Sequence, residues 1–142
     1  MVLTFKYKNI SRGNGTESFS PSVPIIFQGN RSKYEFMALL DSGADISAIP
    51  KSMAELLGLD LSGKKEKAFG IGGEVPAVQT KVNIEISKGH EKYLFQIPVK
   101  VILDGYEFPP LIGREGFFDK FHITFKQSER RVALKYKEEH FY

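Results

Sequence analysis

A strict alternation of apolar and polar residues between positions 93 and 101 constrains the fold of this chain more than any other feature. The apolar members occupy every second position: Tyr93, Phe95, Ile97, Val99 and Val101. A period of two places all of their side chains on one face of an extended strand. The turn residues Asp104 and Gly105 follow. The segment therefore predicts a β-strand that ends in a turn.

Other short apolar segments predict strands that pair as hairpins. Residues 23–27 and 34–40 flank the sequence Gly-Asn-Arg-Ser at 29–32, which has the composition of a turn between strands. Residues 123–125 and 132–136 lie on either side of a polar segment in the same way. We expect one hairpin at each of these two places.

Glycine residues mark two further predicted elements. Residues 64–69 lead into a glycine-rich run at 70–73, and an alternating apolar run lies between 78 and 86, so a glycine-tipped hairpin is expected. Residues 50–57 contain helix-forming residues with one apolar face. Gly58 follows as a terminating residue, and the segment predicts a short helix.

The remaining segments complete the prediction of an all-β domain. The spacing of phenylalanines in 114–121 favours a second short helix, and residues 11–22, rich in Ser, Gly, Asn and Thr, are predicted to form a long turn or mobile loop. A chain of 142 residues fits one domain, 1–142. Short strands with two brief helices favour a small barrel-like sandwich.

Composition and charge exclude several other classes of protein. The chain has no cysteine, and its three histidines are dispersed, so we expect no disulfide framework and no metal site. A net charge of +3, from 20 basic and 17 acidic residues scattered along the chain, is too small for a nucleic-acid groove. The first ten residues alternate apolar side chains with lysine, and no later run has membrane-spanning length, so we expect a cytoplasmic protein without a membrane partner.

The tripeptide Asp41-Ser42-Gly43 is the candidate for chemistry. Alone it is weak, because Asp-Ser-Gly is also favourable turn chemistry with no catalytic purpose. Here apolar residues precede and follow it, which places it at the mouth of a strand. Two further elements follow in order: the run Gly70-Ile71-Gly72-Gly73 and the sequence Leu111-Ile112-Gly113-Arg114. The glycine run lacks the spacing of a phosphate-binding loop, so no cofactor is expected.

These three elements together resemble the retropepsin family of aspartic proteases, from about residue 23 to residue 134. The resemblance implies a retropepsin-like half-barrel with a glycine-tipped flap hairpin and one or two short helices, and it implies peptide hydrolysis. The terminal hairpin is more similar to cellular and microbial single-lobe relatives than to the viral enzymes. The dimer contact therefore need not follow the viral pattern.

The resemblance also assigns roles to individual residues. Asp41 is the expected catalytic residue. The reaction needs two carboxyl groups that share a proton, and no other aspartate of the chain lies in such a tripeptide, so the second group must come from another copy in a homodimer. In the same loop, Ser42 would brace the dimer axis, Gly43 would offer its backbone to the substrate, and Ala44 would support the loop.

Two supporting elements are expected from the same resemblance. Asp45 and Arg114 match a family pair in which a guanidinium holds the active-site loop to the helix below it. Residues 70–73 would form the tip of a flap that closes over a bound peptide or unfolded protein. Because the two carboxyls share one proton, the working pH is expected to be acidic to mildly acidic.

Two other interpretations of the sequence stay open. The first is a retropepsin-like dimer that binds extended peptide, or serves only for association, with weak or no hydrolysis. The second is a β-domain in which the Asp-Ser-Gly tripeptide is accidental. A strict monomer at high concentration would favour the second.

Overall fold

The computed structural model describes residues 2–11, 15, 17–70 and 73–137, and strands make up most of this part of the chain. The strands and the α-helix in chain order are β1 (Val2–Lys6), β2 (Lys8–Ser11), β3 (Glu17–Ser20), β4 (Ser22–Gln28), β5 (Lys33–Leu40), β6 (Ser47–Pro50), α1 (Lys51–Leu57), β7 (Lys65–Gly70), β8 (Gly73–Lys88), β9 (Glu91–Ile102), β10 (Leu111–Ile112), β11 (Phe121–Lys126) and β12 (Arg131–Tyr136). Two short helical turns occupy Arg114–Phe118 and Gln127–Glu129. Within the described residues, no helix is long and apolar enough to cross a membrane.

In the described part of the chain, the strands form three sheets. The largest has the order β4-β5-β10-β6-β9-β8-β7, and β4 also pairs with β8, so the sheet curls until these strands meet. A second sheet has the order β1-β12-β11, and β2 pairs with β3 in a third. The predicted hairpins β4–β5, β7–β8 and β11–β12 are confirmed as antiparallel pairs.

The alternation in β9 accounts for the side chains that it contributes to the core. Ile97, Val99 and Val101 are fully buried, each at 0% exposure. Burial of an Ile or Val side chain contributes roughly 1.5–3 kcal/mol. The same face continues into Tyr93 and Phe95, which are partly buried and pack against this core. The apolar residues that alternate along β9 therefore lie on the face of the strand that is buried.

The helix α1 confirms the predicted short helix and its end. Gly58 has φ 73° and ψ 39°, the left-handed conformation in which glycine commonly ends helices, and its N–H donates to helix carbonyls. Leu57 is buried, and its carbonyl oxygen accepts the N–H of Arg31 from the β4–β5 turn at 3.0 Å. The first hairpin thus holds the end of the helix.

The second predicted helix, 114–121, is wrong. Arg114–Phe118 forms one irregular turn in which Glu115 and Gly116 have non-helical angles, and Phe121 already begins β11. Gly116 has φ 88°, a conformation that costs a side chain energy, and a Cβ there would lie 3.0 Å from the ring of Pro98. The phenylalanine spacing was a sign of burial in the core and not of helix.

The long loop predicted at 11–22 is also wrong over its second half. Glu17–Ser20 is strand β3, paired antiparallel with β2, and β4 begins at Ser22. The pairing is supported by a hydrogen bond from the side chain of Asn9 to the carboxylate of Glu17 at 2.7 Å. Polar composition concealed this hairpin, because little of it is buried.

Candidate active site

Asp41 lies where β5 ends, at a point fixed by a strand from much later in the chain. Strand β10 lies between β5 and β6: it runs parallel to β5, with Ile112 opposite Leu40, and antiparallel to β6, with Leu111 opposite Ala48. The loop that connects β5 to β6 therefore begins on one side of β10 and ends on the other. Such an arrangement leaves the loop little freedom in its position.

Backbone hydrogen bonds join this loop to β10 and to the turn that follows. The N–H of Asp41 donates to the carbonyl of Ile112 at 2.9 Å. The N–H of Arg114 donates to the carbonyl of Ala44 at 2.9 Å, and that of Glu115 to the carbonyl of Asp45 at 2.8 Å. Each such bond contributes about 0.5–1.5 kcal/mol net. Both ends of the Asp41 loop are thus held.

Gly113 allows the turn to approach the loop closely. A Cβ at this position would lie 2.7 Å from the carbonyl carbon of Ile46 and 2.9 Å from the carbonyl oxygen of Ala44. The N–H of Gly113 donates to the hydroxyl of Ser47 at 2.9 Å, and Ser47 is fully buried. Sequence reasoning gave Ser47 no role, since one serine among many carries no signal of burial.

The Asp41 carboxyl is half-buried and sits in a local turn. Its Oδ1 accepts the N–H of Gly43 at 3.0 Å. A Cβ on Gly43 would lie 3.3 Å from the same oxygen, tighter than ordinary van der Waals contact. Ser42 and Gly43 are exposed, whereas Ala44 is half-buried. The loop backbone thus orients the carboxyl of a residue that is partly exposed to solvent.

The structure brings Asp45 and Arg114 together. The Nη2 of Arg114 contacts Oδ1 of Asp45 as an ion pair and hydrogen bond. Both side chains are largely exposed, 55% for Arg114 and 82% for Asp45. Solvent screens an exposed pair to about 0–1 kcal/mol, so the contact orients the loop more than it stabilises the fold. The element below the loop is the irregular turn and not the expected helix.

The predicted flap is described up to its tip. Gly70 pairs with Gly73 as the last described pair of the β7–β8 hairpin, and the predicted tip residues Ile71 and Gly72 lie outside the described residues. Strand β7 forms an edge of the large sheet. Phe69, next to this tip, is 78% exposed. The strands of the hairpin thus extend beyond the core.

Comparison with known proteins identifies the family. The family profile described as aspartyl protease matches residues 23–115, from β4 through the Asp41 loop and the β7–β8 hairpin to the turn at Arg114. The chain belongs to the aspartyl protease family. No curated protein gives a significant match to it.

Solved structures of retropepsin-like proteins are similar to this chain in fold. The chain is similar to a retropepsin-like aspartic protease from Rickettsia conorii, with a TM-score of 0.58 and 21% identity over 96% of this chain and 92% of that one. A complex of EIAV protease with an inhibitor is 22% identical over 74% of this chain and 88% of that one, with a TM-score of 0.44. At this level of identity the Rickettsia likeness shows the fold. The predicted all-β, retropepsin-like fold is therefore confirmed.

Proposed function

We propose that this aspartyl protease is an endopeptidase that acts as a homodimer, with the Asp41 carboxyls of two copies as its catalytic pair. The observation that carries the proposal is the position of Asp41, oriented and accessible at the end of β5 with its loop held by β10. One copy supplies one such carboxyl, so the site is incomplete until a twofold axis brings a second beside it.

The pair supplies acid and base in one step. Two carboxyls at hydrogen-bond distance cannot both ionise, as aspartic proteases as a class illustrate, so one keeps a proton that both share. The ionised carboxyl takes a proton from water, whose oxygen attacks the peptide carbonyl carbon, while the other carboxyl gives its proton to the carbonyl oxygen. The first carboxyl then gives its new proton to the amide nitrogen, the second takes a proton back from a hydroxyl of the tetrahedral intermediate, and the C–N bond breaks to release an amine and a carboxylic acid.

The geometry of the loop favours this chemistry over a passive role. The backbone bonds of Asp41, Ala44 and Asp45 fix the carboxyl before substrate arrives, and preorganisation avoids reorganisation during the reaction. In our proposal Ser42 braces the loop across the dimer axis, Gly43 offers its backbone to the peptide, and Asp45 with Arg114 keeps the loop in place.

The proposed substrate is an extended peptide or an unfolded protein. It would lie as a strand between the Asp41 floor and the β7–β8 flap, with its main chain bonded to both. Gly70 and Gly73, at the end of the flap strands, permit the turn that closure requires. The partners in this proposal are the second copy and the substrate, in the cytoplasm.

The decisive experiment measures cleavage of a denatured protein between pH 3 and 7 by the wild type and by Asp41→Asn, with and without a transition-state-mimicking aspartic protease inhibitor. We expect cleavage by the wild type alone, stopped by the inhibitor and strongest at acidic pH. If neither protein cleaves although both are folded dimers, the peptide-binding or association role replaces the endopeptidase.

A further inference from the structure

The hairpin formed by β2 and β3 is not explained by the fold of the single chain. Among the described residues, neither strand pairs with a third strand, and no side chain of either strand is described as buried. An isolated two-stranded hairpin is marginally stable in water. An ordered hairpin of this kind needs a surface to cover it.

The base of the hairpin lies beside the Asp41 loop. The chain leaves β3 at Ser20 and enters Pro21, whose carbonyl oxygen accepts the N–H of Leu40 at 2.9 Å. Leu40 is the residue before Asp41. At the other base, the N–H of Tyr7 donates to the carbonyl of Arg130 at 2.8 Å. The first of these bonds places the end of β3 close to the Asp41 loop, and the second joins the start of β2 to the β11–β12 turn.

One face of the hairpin has the composition of a protein interface. Cross-strand register places Asn9 opposite Phe19, with Glu17 on the same face. Phe19 is 51% exposed, and the guanidinium of Arg130 lies 4.5 Å from the centre of its ring. An aromatic ring with arginine, bordered by polar side chains, is the combination enriched where proteins bind each other. We call Asn9, Glu17, Phe19 and Arg130 the hairpin face.

We propose that the hairpin face binds a second copy of this chain and forms part of the dimer interface, a proposal that rests on the function proposed above. The twofold axis must pass beside Asp41, and four strand residues span only about 13 Å, so the hairpin lies within reach of the partner. The face carries both signs of charge, as a surface that meets its own copy requires. Arg130 then pairs with Glu17 of the partner subunit.

The test compares Phe19→Glu with Leu94→Glu. Leu94 is a matched control, since it is 65% exposed on a strand but lies toward the opposite end of β9 from the residues that pair with β6. Both variants place the same charge at an exposed apolar position, and circular dichroism checks that both fold. Sedimentation over a range of concentrations, without substrate, measures self-association.

We expect Phe19→Glu to weaken self-association at least tenfold, with peptidase activity lost on dilution and recovered at high concentration, while Leu94→Glu stays within twofold of wild type. Amide hydrogen exchange in β2 and β3 should slow as wild type dimerises.

Equal association of Phe19→Glu and wild type, or a wild type that is monomeric at every concentration, overturns the proposal. So does a variant that dimerises normally but has a raised KM, because the face would then serve substrate. A wild-type dimer that Phe19→Glu dissociates, yet that cleaves nothing, supports the interface and rejects the endopeptidase.

Discussion

Two aspartates of this chain sit in nearly the same local turn. Oδ1 of Asp41 accepts the N–H of Gly43 at 3.0 Å, and Oδ1 of Asp60 accepts the N–H of Ser62 at 2.9 Å. They differ in what lies behind them. The Asp41 loop is hydrogen-bonded to β10 and the Arg114 turn, whereas Asp60 is itself exposed and follows α1. The two aspartates therefore share the same local turn chemistry. What distinguishes the Asp41 loop is β10, the strand that lies between β5 and β6.

The two carboxyls also differ in their hydrogen-bond donors. Asp60 accepts the hydroxyl of Ser62 at 2.6 Å in addition to its N–H, and the hydroxyl first and the N–H second lower the pKa of Asp60. Donors to the charged form favour ionisation. At Asp41, Oδ1 accepts the backbone N–H of Gly43.

The largest expected effect separates the two aspartates by activity. Asp41→Asn should lower the rate of peptide cleavage at least about 100-fold, since general acid and base groups contribute factors of this size or more. Asp60→Asn should leave it within about twofold. Equal losses in the two variants, each still folded by circular dichroism, would show that Asp41 and Asp60 do not differ in their importance for cleavage.

Gly113→Ala tests whether the Asp41 loop is packed as tightly as the structure indicates. The new Cβ would meet the backbone of Ile46 at 2.7 Å, and overpacking of this kind costs about 1–3 kcal/mol. Gly105→Ala is the control, because nothing lies within 4 Å of its Cβ position. Urea denaturation measures both. A Gly113→Ala protein as stable as wild type would mean that the loop is not closely packed.

Ser47→Ala removes the buried acceptor of the Gly113 N–H. The unsatisfied donor should cost about 1–3 kcal/mol of unfolding free energy, with a cleavage rate that falls as the loop loses its support. Chemical denaturation gives the stability. No change in stability would indicate that water or another group replaces the hydroxyl, and the buried bond would then not hold the loop.

Ser62→Ala is expected to have the smallest effect. It tests whether the Ser62 hydroxyl is the donor that distinguishes Asp60 from Asp41. Loss of the hydroxyl should raise the pKa of Asp60 toward its ordinary value, as measured by NMR titration of the carboxyl. A lowered folded-state pKa adds stability above the ordinary pKa, and this is lost as the pH falls through the folded value. The variant should therefore be slightly less stable than wild type at neutral pH and equal to it in strong acid. An unchanged pKa of Asp60 would show that the hydroxyl is not the main donor.

Local patterns in the sequence predicted α1 and the longer strands of this protein. The alternation of β9 predicts its strand and its buried face, and Gly58 predicts the end of α1, because each signal depends on neighbours within one element. Two short motifs, Asp41-Ser42-Gly43 and Leu111-Ile112-Gly113, indicated the family, because each is a run of neighbouring residues that can be recognised without the fold. Segments without a periodic apolar face, such as β2 and β3, were not recognised.

Only the tertiary structure decided how these elements meet at the site. Leu111 and Ile112 lie between β5 and β6 because distant segments of the chain pair there. A strand of two residues is too short to show a periodic pattern, so the sequence does not predict this pairing. The burial of Ser47 follows from the same packing, whereas the positive φ of Gly116 occurs where the turn meets Pro98 and Ile97 of β9. The sequence by itself determined strands, a helix and the candidate aspartate, Asp41, and long-range contacts determined how the loop that carries it is held.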